Sequence, residues 1–183
     1  MSEPELQPHL TGRLVSLRPL RAEDFEPLYA VASDPLVWAQ HPNPDRWRRE
    51  VFAKLFEDGL RSGGALLILD SASGAVAGSS RYYGWDPDQR EVAIGYTFIG
   101  RRFWGGAHNH ELKRLMLRHA FGFADVVWFH VGLCNGRSQT AMARIGATRV
   151  REVPADPLWG GRDMVYFRIH RDDPAVHRDP VPA

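Results

Sequence analysis

The feature that most constrains the fold is a strand-like run that passes through a glycine-containing loop directly into a helical segment. Residues 91–99 read as a strand, and residues 100–109 contain Gly105 and Gly106. Apolar residues then recur at helical spacing from Leu112 to Phe123. Such a turn aims several free backbone N–H groups at one point, where the helix dipole is positive. The order therefore predicts an anion-binding cradle, with an ordinary turn and helix cap as the alternative.

The residues of this loop suit a phosphate. Gly105 and Gly106 lack the Cβ atoms that would hold an anion away, Arg101 and Arg102 add positive charge, and Asn109 can cap the helix or reach a phosphate oxygen. The spacing is neither that of a P-loop nor that of a dinucleotide-binding Gly-x-Gly-x-x-Gly motif. Nucleotide hydrolysis and dinucleotide redox chemistry therefore lose support.

Composition limits the class of protein. The chain has 183 residues, 44% of them hydrophobic, and 23 Lys and Arg against 22 Asp and Glu give a net charge of +1. This length suits one domain with a full core, and the single cysteine, Cys134, excludes a disulfide framework. The balanced charge predicts no nucleic-acid partner, although salt-dependent retention on DNA would revive one. The absence of a secretory signal or of a long apolar run predicts a cytoplasmic protein without membrane contact.

The other segments complete a mixed α/β pattern in one domain over residues 1–172, with a flexible tail over residues 173–183. Helices are predicted from residue 21 to Pro35, over 45–60, after the glycine loop and over 139–145. Strands are predicted over 14–20, 65–69, 75–83, 91–99, 126–133, 148–153 and 164–169. Turn residues between the second, third and fourth of these strands indicate an antiparallel meander.

Several motifs in order resemble one family. The run RFWGGA at residues 102–107 is similar to the Arg/Gln-x-x-Gly-x-Gly/Ala signature of the GNAT superfamily of acyl-CoA-dependent N-acyltransferases, where it binds the CoA pyrophosphate. The runs IGY at 94–96, NGRS at 135–138 and IGA at 145–147 resemble further elements of that family. Residues 10–20 are similar to the branch that contains the ribosomal-protein N-terminal acetyltransferases. The resemblance covers residues 10–170.

The resemblance implies a GNAT fold, with a mostly antiparallel sheet of six to seven strands, a splayed parallel pair and about four helices. It implies acetyl-CoA as cosubstrate, with the pantetheine arm pairing against the strand of residues 91–99. No metal is expected, because His108 and His110 occupy alternate positions at a helix start and no cysteine or carboxylate cluster completes a site. The implied CoA contacts are Tyr96, Thr97, Phe98, Arg102, Trp104, Gly105, Gly106, Ala107, His108, Asn109, Asn135 and Ser138. Many relatives form dimers, so a homodimer is an expectation.

Acetyl transfer to an amine by direct attack on the thioester needs a proton acceptor and a proton donor. Glu91 is the candidate base, although many relatives carry the acidic residue where this chain has Ala93. Ser138 is the candidate that orients or protonates the thiol, because the position of the usual tyrosine is Met142. The alternatives are a solvated charge for Glu91 and a helix cap for Ser138.

The acceptor is open between a peptide N-terminus, an amino acid and a small amine. The aromatic residues Trp38, Tyr83, Trp85 and Trp159 are candidates for contacting it, and about half of them are expected to be core instead. Interspersed charges argue against an acceptor with many positive charges. The competing function is a CoA-binding regulatory module that has lost turnover, which the residues Ala93 and Met142 motivate.

Overall fold

The structure, a computed structural model, describes residues 3–174 and contains one sheet of eight strands. The strands are β1 Leu10–Thr11, β2 Val15–Pro19, β3 Ala65–Asp70, β4 Val76–Asp86, β5 Glu91–Ile99, β6 Val126–Gly132, β7 Thr148–Asp156 and β8 Arg162–His170. Their order across the sheet is β1-β2-β3-β4-β5-β6-β8-β7. Neighbouring strands are antiparallel except β5 and β6, which are parallel. The mixed α/β class with one parallel pair is confirmed.

The α-helices in the described part of the chain are α1 Phe25–Ala32, α2 Pro35–Trp38, α3 Arg49–Arg61, α4 Ala107–Ala120 and α5 Gly136–Arg144. The sequence predicts fewer helices because Pro35 reads as the end of the first one. Pro35 instead occupies the first turn of α2, where its missing N–H costs nothing, and the Asp34 side chain caps that helix by accepting from Leu36 N–H at 3.0 Å.

Some predicted boundaries differ from those of the structure. The helix predicted over residues 45–60 is divided, because a 3-10 turn over Pro44–Trp47 ends at Arg48, whose backbone is extended. The sheet has more strands than predicted, since β1 is too short to show an alternating pattern but pairs with β2. The part of the predicted tail beyond Pro174 lies outside the described residues.

Two apolar clusters pack on opposite faces of the sheet. On one face, which we call the α4 face, α4 and α5 cover Val92, Ile94 and Phe129. On the other, the α3 face, α1 and α3 cover Leu67 and Phe98. None of the helices within residues 3–174 is long and apolar enough to cross a membrane.

Candidate active site

A cleft opens where the two parallel strands separate. Strands β5 and β6 pair only through Glu91–Val126, Val92–Val127 and Ala93–Trp128, and beyond Ala93 they diverge. The space between them is a cleft of about 540 Å³, lined by residues 94–99 of β5 and residues 129–132 of β6. Within residues 3–174 the inner edge of β5 therefore has no partner strand along the cleft, so an extended ligand can pair with it.

A bulge in β5 shifts the alternation of its side chains between the two faces of the sheet. Opposite β4, Phe98 pairs with Ser79 and Gly95 pairs with Arg81, so β5 carries one extra residue over this stretch. Tyr96 has φ of 52°, a left-handed conformation that costs energy for a residue with a side chain. The Tyr96 ring lies 5.3 Å from the Tyr83 ring on the α3 face, whereas Thr97 accepts a hydrogen bond from Lys113 of α4.

The glycine loop opens into the cleft at the start of α4. Gly105 has φ of 68°, and Gly106 is the N-cap residue, with no side chain to occupy the free N–H groups of the first turn. Trp104 fixes the loop on β5, since its indole Nε1–H donates to the Ile99 carbonyl at 2.9 Å. Asn109 and His110 also line the cleft. This geometry is that of an anion-binding helix N-terminus.

A second helix, α5, begins at the same cleft. Its N-cap is Asn135, which is buried and whose side chain accepts from Ser138 N–H at 3.2 Å. The cap role considered for Ser138 therefore belongs to Asn135, and the helix begins at Gly136 rather than at residue 139. Ser138 lines the cleft.

Lys113 is a buried cation on the α4 face of the cleft. Its Nζ donates to Thr97 Oγ1 at 2.8 Å and lies 5.4 Å from the centre of the Phe129 ring. Burial among apolar groups disfavours the ammonium and lowers the pKa of Lys113 to about 7. A lysine with that pKa can hold or release a proton near neutral pH.

Aromatic side chains form the α3 face of the cleft. Trp159 contacts the rings of Tyr83, Tyr96 and His130, with centroid distances between 5.7 and 6.2 Å. Tyr83 Oη and His130 Nδ1 are 2.8 Å apart. Burial lowers the pKa of His130 to about 4, so this imidazole is neutral at physiological pH.

Comparison with known proteins connects this geometry to a family. The family model for the acetyltransferase (GNAT) domain matches residues 14–148. A provisionally assigned acetyltransferase from T. thermophilus is 30% identical, with a TM-score of 0.77 over 96% of this chain and 95% of that one. The chain belongs to the GNAT acetyltransferase family. It is thus an N-acyltransferase. A search of curated proteins gives no match.

More distant structures share the GNAT fold. A GCN5-related N-acetyltransferase from Brucella melitensis has a TM-score of 0.79 at 22% identity, covering 90% of this chain and 79% of that chain. Mycobacterium smegmatis RimJ, solved with CoA-disulfide, has a TM-score of 0.70 at 18% identity over 93% and 91% of the two chains.

The cleft brings together most of the predicted CoA contacts. Those that line it are Tyr96, Thr97, Phe98, Trp104, Gly105, Gly106, Asn109, Asn135 and Ser138. Arg102, Ala107 and His108 are not among the lining residues. His108 instead packs against the Phe103 ring and lies 3.5 Å from the Asp70 carboxylate. These contacts place its side chain outside the cleft.

The predicted acceptor contacts are divided. Trp38 and Trp159 line the cleft, and Trp38 is also a buried core residue whose Nε1–H donates to the Ala32 carbonyl. Tyr83 lies behind the lining, in contact with His130 and Trp159. Trp85 packs against Phe123, beside the apolar cluster of the α4 face.

Glu91, the candidate base, lies outside the cleft. Glu91 belongs to the paired end of β5, two residues before the last pair with β6, and does not line the cleft. Its carboxylate accepts a hydrogen bond from Trp128 Nε1–H at 2.8 Å. A carboxylate held at the closed end of the parallel pair is poorly placed to accept a proton from an amine in the cleft.

Sequence reasoning missed several cleft residues, which are His41, Asn43, Arg46, Lys113, His130, Arg137 and Arg162. Lys113 carried a signal, because it shares the buried stripe of α4 with Met116, Leu117 and Ala120 at helical spacing. The residues around position 41 carried none, since only tertiary contacts bring that irregular segment to the cleft.

Proposed function

We propose that the protein transfers the acetyl group of acetyl-CoA to a primary amine that enters from the α3 face. The observation that carries the proposal is the unpaired edge of β5 beside the glycine-opened N-terminus of α4. An extended, phosphate-bearing ligand such as the pantetheine arm and pyrophosphate of CoA fits this combination of a free strand edge and an anion site.

The residues on the α4 face fit CoA. The free N–H groups at Gly106 and the following residues would hold the pyrophosphate, and the inner edge of β5 would pair with the pantetheine amides. When bound, acetyl-CoA supplies an activated acyl group. Ser138 Oγ and Lys113 Nζ would donate or accept protons on this side of the cleft. The Met142 side chain, which also lines the cleft, has no proton to donate.

His130 replaces Glu91 in the proposal as the group that accepts the amine proton. It lines the cleft on the α3 face, and its contact with Tyr83 fixes Nδ1 and leaves Nε2 for a ligand. Burial keeps the imidazole neutral at physiological pH, and in the tautomer whose Nδ1–H donates to Tyr83 Oη the lone pair lies on Nε2, where no preceding ionisation is needed.

The experiment measures thiol release from acetyl-CoA over a panel of amines, amino acids and short peptides, together with calorimetric CoA binding. Turnover with an acceptor class, and CoA binding by the same preparation, are the expected results. Tight CoA binding without turnover would favour the regulatory-module alternative. An absence of CoA binding would refute the assignment of the cradle.

The same proposal includes a cellular location, an acceptor class and an oligomeric state. An enzyme that uses acetyl-CoA and a small amine acts where both are dissolved, so the proposed location is the cytoplasm. The net charge of +1 supports a small-molecule or peptide acceptor over nucleic acid. Size-exclusion chromatography with light scattering tests the expected homodimer.

A further inference from the structure

The side chains that line the cleft include several cations and, within the described part of the chain, no Asp or Glu. The cations are Arg46, Lys113, Arg137, Arg144 and Arg162. Lys113, Arg137 and Arg144 belong to α4 and α5, on the side that the proposed function gives to CoA phosphates. Arg46 and Arg162 come from other elements and need a separate explanation.

Arg46 and Arg162 enter the cleft from the α3 face. Arg46 lies in the 3-10 turn before α3, and its guanidinium is 5.5 Å from the Trp38 ring centre. Arg162 begins β8, directly after the turn that carries Trp159, and donates to the Trp159 carbonyl at 2.8 Å. Arg162 also donates to the Asn43 side chain, so the same loop segments hold both arginines beside the aromatic wall.

Arg46 is buried without a compensating negative charge among residues 3–174. Only 9% of it is exposed, and its polar contact is His41 Nε2 at 3.0 Å. The other ring nitrogen of His41, Nδ1, faces the Asn43 backbone N–H at 2.8 Å. Burial and the nearby Arg46 charge lower the pKa of His41 to about 3, so the ring is neutral.

The hydrogen bonds around His41 therefore do not balance. A neutral imidazole has one nitrogen that accepts and one that donates, yet both of its nitrogens face donors. Either the Asn43 N–H or the Arg46 guanidinium must find another acceptor. For a buried guanidinium, an anion is the acceptor that offsets both the missing hydrogen bond and the uncompensated charge.

We propose that the acceptor substrate is a small amino acid, an amine whose carboxylate is bound by Arg46 and Arg162. This inference rests on the proposed function and names its substrate class. A guanidinium matches the two oxygens of a carboxylate, and the aromatic wall of Tyr96 and Trp159 borders the space left for the amine. The same positive charges lower the pKa of a bound ammonium and so favour the neutral, nucleophilic amine.

The test compares amino acids with their amides, for example alanine with alaninamide and aspartate with asparagine. The members of each pair differ little in size but differ by one negative charge. For at least one pair we expect kcat/KM to be at least about tenfold higher for the member with the additional carboxylate. Calorimetry without acetyl-CoA should show the same order of affinity, with a difference that shrinks as salt rises.

Variants assign this preference to the two arginines. Arg46→Gln and Arg162→Gln should each reduce the preference to within about threefold, while Arg46→Lys should keep part of it, because lysine retains the charge but not the two-point geometry. Arg61→Gln is the matched control: it removes an exposed arginine at the end of α3 and should leave the preference unchanged. Arg162 is only half-buried, so Arg162→Gln still tests the proposal if Arg46→Gln does not fold.

Equal or faster turnover of the amides, or a preference for amines with several positive charges, would overturn the inference. A loss of CoA affinity in Arg46→Gln would also overturn it, because Arg46 would then belong to the CoA site. A carboxylate preference in binding without any acetyl transfer would support the anion site and refute the proposed function. Failure of CoA binding in the unaltered protein would refute the proposed function alone.

Discussion

The two faces of the cleft differ in how they are built. The α4 face is made from regular elements that follow one another in the chain: a strand, a glycine loop, and the first turns of α4 and α5. The α3 face combines the segment before α3 with the turn between β7 and β8, which lie more than 100 residues apart in sequence. The first arrangement suits a ligand shared by a family, and the second would let the proposed acceptor site change without altering the sheet.

The largest effect that would separate the two faces is expected at His130. His130→Ala should lower turnover by about 100-fold, since a positioned proton acceptor contributes 10²–10⁴-fold. The affinity for CoA, measured by calorimetry, should stay within about threefold because His130 lies on the α3 face. His170→Ala, at an exposed position, is the control. A parallel loss of CoA affinity would place His130 with the α4 face.

Replacing Lys113 tests the α4 face through the stability of the protein rather than through turnover. The pKa of Lys113 is about 7 when folded and close to 10.5 when unfolded, so the unfolded state binds more protons between these values. Stability should therefore rise with pH across that window. At pH 7 Lys113→Met should be more stable than the parent by about 2 kcal/mol, and this advantage should disappear towards pH 10.

Urea denaturation at pH 7, 8.5 and 10 measures this difference. Lys54→Met, which removes an exposed lysine of α3, is the control and should show no comparable pH dependence. A Lys113→Met protein that is less stable than the parent at every pH would show that the hydrogen bond to Thr97 outweighs the cost of burial.

The cradle itself is tested at Gly105. Gly105→Val should weaken CoA binding by about tenfold or more, because a β-branched residue resists the left-handed backbone that shapes the turn. Gly63→Val is a matched control: Gly63 has φ of 66° and, like Gly105, has open space where a Cβ atom would lie, but it is placed between α3 and β3. Both variants should lose about 1–2 kcal/mol of stability, whereas the loss of CoA affinity belongs to Gly105 alone.

The smallest effect distinguishes capping from chemistry at the start of α5. Asn135→Ala should lower stability by about 1 kcal/mol, the usual cost of losing an N-cap. Ser138→Ala should leave stability nearly unchanged and lower turnover, with CoA affinity retained. Thermal unfolding and thiol release measure the two effects. A stability loss in Ser138→Ala equal to that of Asn135→Ala would assign Ser138 a structural role.

The sequence predicted the α4 face better than the α3 face for physical reasons. The glycine loop, the helix after it and the Asn135–Ser138 turn are local, so their geometry follows from backbone preferences within a few residues. Arg46 and Arg162 are distant in sequence: Arg46 lies in a 3-10 turn beside Trp38, and Arg162 is the first residue of β8, next to the turn that carries Trp159. Their approach to each other depends on tertiary packing. The Glu91 prediction used strand parity correctly but could not show where β5 and β6 separate.

The extra residue in β5 determines to which face of the sheet each side chain of this strand points. Upstream of Tyr96 one parity of positions serves α4, and downstream the opposite parity does, as Ile94 and Ile99 in one cluster and Phe98 in the other show. Deleting a single residue there would restore uniform alternation and would move every side chain on one side of the deletion to the opposite face of the sheet. The proposed separation of CoA and acceptor on the two faces of the cleft thus depends on the number of residues in one strand as much as on their identity.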